Sequence, residues 1–180
     1  LKIESKINEP FLLINFSLAL SYFFFFFKLM KLYHYVHCPF CLRVRMVLGL
    51  LKIHYQSIVL PYDDEQTPTR LIGKKMLPIF EFKENDRMAE SLDIIDRLDH
   101  TNILNKEFYK KHKDEVDQWL NRLGNDVHSL CMPYWIWTPE FNESSRQYFQ
   151  KKKEEKRGPF NILMKNKNLS LDEDIMIYLE

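Results

Sequence analysis

Two cysteines three residues apart, Cys38 and Cys41, stand in the run Lys31-Leu32-Tyr33-His34-Tyr35-Val36-His37-Cys38-Pro39-Phe40-Cys41. Leu42-Arg43-Val44-Arg45-Met46-Val47-Leu48 follows directly. Alternation of Leu32, His34 and Val36 with Tyr33 and Tyr35 predicts a strand carrying aromatics on one face. From Leu42 the apolar positions change to a helical rhythm, and Pro39 sits where a first helical turn tolerates proline. The two thiols then share the opening turn of a helix. Unpaired N–H groups and the positive dipole end stabilise an anion there, so a thiol at that place ionises near neutral pH. Cys38, at the helix mouth and exposed, gains most; Cys41, one turn inside, gains less. One turn also brings the two Cα atoms within disulfide range. An attacking thiolate beside a resolving thiol is what thiol–disulfide exchange requires. C-x-x-C near a β-α-β pattern is the signature of a thioredoxin-like redox site.

These residues also admit other readings. His34-x-x-His37-Cys38-x-x-Cys41 contains four candidate zinc ligands. A histidine on the strand and a cysteine pair on the next helix are tied too closely in sequence to surround an ion easily, so the redox reading is preferred and no metal is expected. His37 is read two ways, as a cation that helps hold the thiolate or as a plain loop histidine. Arg43 and Arg45 are thiolate partners or solvated helix residues.

The elements that must position this pair lie around it. Gln56-Ser57-Ile58-Val59-Leu60 reads as a second strand, closed by Pro61 and the acidic loop Asp63-Asp64-Glu65. Pro68-Thr69-Arg70-Leu71-Ile72 reads as a short helix ended by Gly73. Leu77-Pro78-Ile79-Phe80-Glu81-Phe82 is a third strand with its proline at the start, where no ladder bond is lost. A turn at Glu84-Asn85-Asp86-Arg87 leads to a return strand at Met88-Ala89. Ser91 is the expected N-cap of a helix through Leu92, Ile94, Ile95 and Leu98.

After a linker at 101–105 the period-two pattern disappears. Val116, Trp119, Leu120, Leu123, Val127 and Leu130 predict a helix running to Pro133. Tyr134-Trp135-Ile136-Trp137 is then an aromatic loop capping a core. Residues 141–157 predict a helix stopped by Gly158-Pro159, its Lys151-Lys152-Lys153-Glu154-Glu155 run a solvated face. Ser170-Leu171-Asp172-Glu173 has the form of a capping box opening a last helix from Ile175 to Leu179.

Lysines and arginines (26) nearly cancel aspartates and glutamates (25) across 180 residues, which leaves no electrostatic case for nucleic acid. Three cysteines, two of them in the motif, cannot make a disulfide framework and favour a reducing, cytoplasmic setting. Cys131 is expected within a helix as a buried, inert thiol. Residues 1–29 read differently from the rest, nearly all apolar over 11–27 and ending in five phenylalanines at 23–27. A membrane span and a signal peptide are alternative readings of this run. The preferred expectation is that Met30 is the natural start and that 1–29 is an upstream extension outside the fold.

Taken together, these residues resemble the bacterial glutaredoxins of the glutaredoxin 2 type, which share the architecture of glutathione transferases. The resemblance runs through Met30-Lys31-Leu32-Tyr33, His37-Cys38-Pro39-Phe40-Cys41, Arg45-Met46, Thr67-Pro68-Thr69-Arg70, Gly73-Lys74-Lys75, Leu77-Pro78-Ile79 and Glu90-Ser91-Leu92-Asp93-Ile94. It covers 30–100 closely and is looser around Glu115 to Leu123, 145–153 and 169–179. It implies an α/β thioredoxin-like N-terminal domain over 30–101, then an all-α C-terminal domain over 106–180, with glutathione as co-substrate in the cleft between them. Cys38 would be the nucleophile and Cys41 its partner, with Pro39 and Phe40 beside the substrate. The Leu77 backbone, held by a cis bond before Pro78, would pair with the peptide part of glutathione. Glu90 and Ser91, at a helix N-terminus, would receive its γ-glutamyl end.

Phe40 stands where the family motif usually has tyrosine. The extension at 1–29 has no place in the family pattern. The stretch 158–169 is too short for a helix the family carries, so an incomplete helical domain is expected. The expected activity is glutathione-dependent reduction of disulfide-containing or glutathionylated proteins by a monomer. The alternatives are a glutathione transferase acting on small electrophiles and a non-catalytic protein anchored to a membrane through 11–27.

Overall fold

The structure, a computed structural model, describes residues 29–165. The apolar extension, the capping box at Ser170 and the helix expected at Ile175 to Leu179 lie outside the described residues, as does the side chain of Leu123. Four strands form one sheet: β1 (Met30–His34), β2 (Tyr55–Val59), β3 (Ile79–Lys83) and β4 (Asp86–Ala89), in the order β2-β1-β3-β4. β2 runs parallel to β1, which requires a crossover, and helix α1 (Pro39–Leu50) supplies it. β3 pairs antiparallel with β1, and β4 antiparallel with β3 through a turn at Glu84-Asn85 in which Asn85 takes φ 64°. Helix α2 (Gln66–Ile72) follows β2 and ends at Gly73, whose φ of 79° is the left-handed conformation that glycine adopts without strain. Helix α3 (Ser91–Leu98) follows β4.

β1 is shorter than its alternating pattern suggests. It leaves the ladder after His34, and Tyr35 and Val36 belong to the loop leading to the cysteines. One face of the sheet is covered by α1 and α3, which pack on each other. Val44 and Leu48 from α1, and Ile94 and Leu98 from α3, are spaced four apart and share a face with Leu32 and Phe80 of the sheet. Each of these buried side chains stabilises the fold by about 1.5–3 kcal/mol relative to its exposure. Val47 is also buried, while Leu42, Met46 and Leu50 of α1 face outward.

Asp99 turns the chain into its helical half by accepting the N–H groups of Ile103 (2.7 Å) and Leu104 (3.0 Å). Helix α4 (Lys106–Trp135) then runs past Pro133 rather than stopping before it. The missing proline N–H falls in the last turn, so it ends the helix within a few residues instead of breaking it. Trp135 and Ile136 pack on a second core, as expected of the aromatic segment, while Tyr134 and Trp137 are exposed.

Helix α5 (Glu143–Arg157) opens at Asn142, whose side chain accepts the Ser145 N–H at 2.8 Å. After Gly158-Pro159 there is room for a six-residue helix, α6 (Phe160–Lys165), although the stretch 158–169 is expected to be too short for the helix the family carries. Pro159 starts it, its carbonyl accepting from Ile162 (3.0 Å) and Leu163 (3.1 Å), and Phe160 drops into the core. That second core joins Met132, Phe141, Phe149 and Phe160, and Tyr62 from the sheet side packs against it. Cys131, expected to be buried, is exposed on α4, because the adjacent Met132 takes the inward position. No helix among the described residues is long and apolar enough to cross a membrane.

Candidate functional site

Strand register brings the candidate residues to one edge of the sheet. The carboxyl ends of β1 and β2 lie side by side, His34 opposite Val59. In the antiparallel pairs, Tyr33 faces Ile79 and Ile79 faces Ala89. The loop carrying Cys38, the segment after β2 with Tyr62, the Leu77-Pro78 step and the Glu90-Ser91 step therefore emerge at the same end. The Leu77–Pro78 peptide bond is cis, as the resemblance implied.

Cys38 is the N-cap residue of α1, extended at φ −73° and ψ 122°, with Pro39 in the first turn. Its sulfur accepts the backbone N–H of Cys41 at 3.4 Å, and Cys41 is fully buried. Both thiols are free. The Cys38 thiol is drawn from its ordinary 9.0 down to about 7. The largest cause is the hydrogen bond donated by the Cys41 thiol; burial opposes it, and the backbone N–H groups of Cys41 and Phe40 and the charge of Arg45 assist. The same hydrogen bond, together with burial and repulsion from Cys38, pushes the Cys41 thiol upward. The inner sulfur holds its proton and lends it to the outer one. Cys38 is less exposed than the sequence suggests: it is partly covered.

The two arginines are engaged rather than merely solvated. Arg45 donates to the Val36 carbonyl at 3.1 Å, bringing its charge beside the dithiol. Arg43 lies over the exposed Phe40 ring at 5.6 Å and donates to Ser91 Oγ at 3.3 Å, linking the dithiol helix to the start of α3. At that start the N-cap is Glu90, not Ser91. Glu90 takes φ 70° and its carbonyl accepts from Ile94, while Ser91 is the first helical residue and is buried. The Ser91 hydroxyl is taken up by Arg43, which removes it from a capping role.

Neither histidine is arranged for zinc. His34 Nε2 meets Ser57 Oγ at 2.7 Å and its Nδ1 meets the Tyr35 carbonyl at 3.3 Å; burial, its main perturbation, favours the neutral ring. Among the described residues no group of three or more histidine, cysteine, aspartate or glutamate side chains is placed to hold a metal.

His37 is a loop residue whose ring is bonded to Glu140 and not to the Cys38 sulfur. Its Nδ1 donates to Glu140 Oε1 at 2.7 Å, and the same oxygen accepts the backbone N–H groups of Val36 (2.8 Å) and His37 (3.0 Å). The Glu140 side chain is wholly buried. Burial alone would raise its pKa, but the hydrogen bonds from the His37 ring and backbone outweigh it and hold the carboxyl at about 2. Glu140 was invisible in the sequence: it lies in the loop between α4 and α5, 103 residues from His37, and no motif marks it. Tyr62 was missed for the same reason; its ring meets Phe141 at 5.4 Å and Phe149 at 4.7 Å, so it lines the seam between the halves.

Comparison with known proteins agrees with this geometry. A family model for the glutathione S-transferase N-terminal domain matches residues 32–105. The chain is 37% identical to glutaredoxin 2 of Escherichia coli strain K12, over 79% of this chain and 70% of that protein. Among solved structures it is similar to glutaredoxin 2 from Salmonella typhimurium in complex with glutathione, at TM-score 0.69 and 35% identity, covering 81% of this chain and 67% of the other. A glutathione S-transferase of Ceriporiopsis subvermispora shares the fold at TM-score 0.59 and 18% identity, over 73% of this chain and 62% of that one.

Proposed function

Because this chain belongs to the glutaredoxin 2 family, we propose that it is a glutathione-dependent thiol–disulfide oxidoreductase working through Cys38 and Cys41. In the first step the Cys38 thiolate attacks one sulfur of a disulfide, that S–S bond breaks, and the departing thiolate takes up a proton. With a glutathionylated protein the attack falls on the glutathione sulfur, leaving Cys38 bonded to glutathione. A second glutathione thiolate then attacks that mixed disulfide, releasing oxidised glutathione and restoring the Cys38 thiolate. With a protein disulfide, Cys41 gives up its proton, attacks Cys38 and releases the reduced protein; two glutathiones then reopen the Cys38–Cys41 bond.

The observation that carries this reading is the asymmetry of the two sulfurs. Cys38 caps the helix with its acidity raised, while Cys41 is buried, protonated and bonded to it. The glutathione site we assign is the sheet edge beside them. The Leu77 backbone pairs with the peptide, Glu90 and Ser91 at the N-terminus of α3 hold the γ-glutamyl end, and Pro39, Phe40 and Pro78 form its walls. Residues 30–101 form the domain that carries this chemistry, and the helical part from 106 onward closes the cleft. We place the protein in the cytoplasm as a monomer whose partners are glutathione and disulfide-containing or glutathionylated proteins.

Reduction of hydroxyethyl disulfide and of a glutathionylated peptide, with oxidised glutathione followed through its reductase, tests the reading. Cys38→Ser is expected to abolish turnover on both, while Cys41→Ser keeps activity on the glutathionylated peptide and loses it on protein disulfides. Turnover by Cys38→Ser, or a wild-type protein that conjugates a chloronitrobenzene yet reduces neither disulfide, overturns it.

A further inference from the structure

We propose that Glu140 is a positioning residue for the Cys38 nucleophile. Its buried carboxylate, supplied by the helical half, locks the loop that presents the sulfur at the mouth of α1. The inference deepens the function proposed above and rests on Cys38 being the attacking thiol.

The loop at 35–38 has left the sheet, so its backbone donors need new acceptors. One oxygen of Glu140 meets two of them, Val36 N–H and His37 N–H at 2.8 and 3.0 Å, and the His37 ring at 2.7 Å as well. From the opposite side Arg45 holds the Val36 carbonyl at 3.1 Å. The Val36–His37 peptide group, one residue before Cys38, is thus held from both sides, its carbonyl by an anchor on α1 and its N–H by one over a hundred residues away. Aromatic rings from both halves enclose the His37 imidazole: Tyr35 at 5.4 Å, and Trp135 and Phe141 at 5.2 Å each. Other charged or titratable groups around this seam, among the described residues, are Cys38 itself, Tyr62 after β2 with Lys75 over its ring, Asp63 and Tyr148 in the neighbouring contacts to α5, His128 against Trp135 on α4, and Lys153 over Phe149 on α5. None of them can replace Glu140 as an acceptor for three adjacent N–H groups.

The consequence for the sulfur follows from its own environment. Cys38 owes part of its acidity to the backbone N–H groups of Phe40 and Cys41, which it meets only while it caps the helix. Releasing the preceding loop lets Cys38 leave that position, and its acidity falls towards that of an ordinary thiol. A simple charge effect has the opposite sign, since removing a nearby negative charge makes a thiol more acidic.

The two are separated by measuring iodoacetamide alkylation of Cys38 against pH, resolved by peptide mass spectrometry, in the wild-type chain and in Glu140→Ala, Glu140→Asp and Glu140→Gln. Glu140→Ala is expected to raise the midpoint by about one pH unit, which slows alkylation at pH 7 about fivefold. Glu140→Asp keeps the charge but loses reach, and is expected to rise as well. Glu140→Gln loses the charge but keeps an acceptor oxygen in place, and is expected to stay close to the wild type. If Glu140→Ala does not fold, as judged by near-ultraviolet circular dichroism, the Asp and Gln arms decide alone. Midpoints that are unchanged or lowered in Glu140→Ala and Glu140→Asp overturn the proposal, as does a Glu140→Gln midpoint that rises as far as that of Glu140→Asp. Alkylation needs no disulfide substrate, so failure of the wild-type protein to reduce disulfides would defeat the proposed function while leaving this test intact.

Discussion

The Cys38 sulfur is acted on by groups of different origin: a neighbouring thiol, two backbone N–H groups and a guanidinium favour its anion, and partial burial opposes it. Arg45 is the one of these that a substitution removes without touching the backbone or the dithiol itself. Replacing it by Met is expected to raise the Cys38 midpoint by up to about one unit, read as thiolate absorbance near 240 nm during titration. An unmoved midpoint would mean that neither the charge of Arg45 nor its hold on the Val36 carbonyl sets the acidity of Cys38. Cys131, exposed on α4, plays no part in this scheme. Cys131→Ser is expected to leave the rate of hydroxyethyl disulfide reduction unchanged. The dithiol was legible in the sequence because its chemistry is local: strand, proline, helix start and both sulfurs fall within a dozen residues. Glu140 was not, because an acceptor is defined by its donors, and those lie in a loop 103 residues away.

Among the elements, strands and short helices could be read because their signals are short-range: Gly73 ends α2 as expected, and Asn85 turns the hairpin. The departures arose where a side chain had two possible uses. Ser91 has the composition of an N-cap, but a guanidinium from α1 claims its hydroxyl and the preceding residue takes the cap position. Pro133 has the composition of a helix stop, but it fell inside a last turn already packed against the second core. Asn142 is an unambiguous cap. Its replacement by Ala is expected to cost about 1 kcal/mol in urea unfolding, with the denaturant slope unchanged. No loss would mean that Ser144 and Ser145, both bonded to Asp63, hold the start of α5 without it.

Across the whole molecule, the two halves are joined by polar latches around an aromatic seam. Asp63 accepts the hydroxyls of Ser144 and Ser145, Lys75 donates to Tyr148 at 3.3 Å, and Glu140 accepts from the Cys38 loop. Composition could announce that a helical half follows the sheet, but not where the halves touch, since aromatic residues at 62, 135, 141 and 149 acquire a common purpose only once folded. The Glu140 latch carries a pH signature. Its carboxyl sits at about 2 in the folded protein against an ordinary 4.5, so it stabilises the fold fully above about 4.5, by about 3 kcal/mol, and that contribution is lost as pH falls towards 2. Thermal melts between pH 6 and 2 are expected to show Glu140→Gln less stable than wild type at pH 6, with the gap closing through that window. A gap that stays constant would mean that the carboxylate is not stabilised in the folded state.

The account as a whole turns on unequal sulfurs, and alkylation of the wild-type protein from pH 5 to 10, followed at each cysteine separately, tests that most directly. We expect the Cys38 rate to rise with a midpoint near 7 while Cys41 stays unmodified in the folded protein across the range. A Cys38 midpoint near the ordinary thiol value of 9.0, or a Cys41 that alkylates in step with it, would contradict the account.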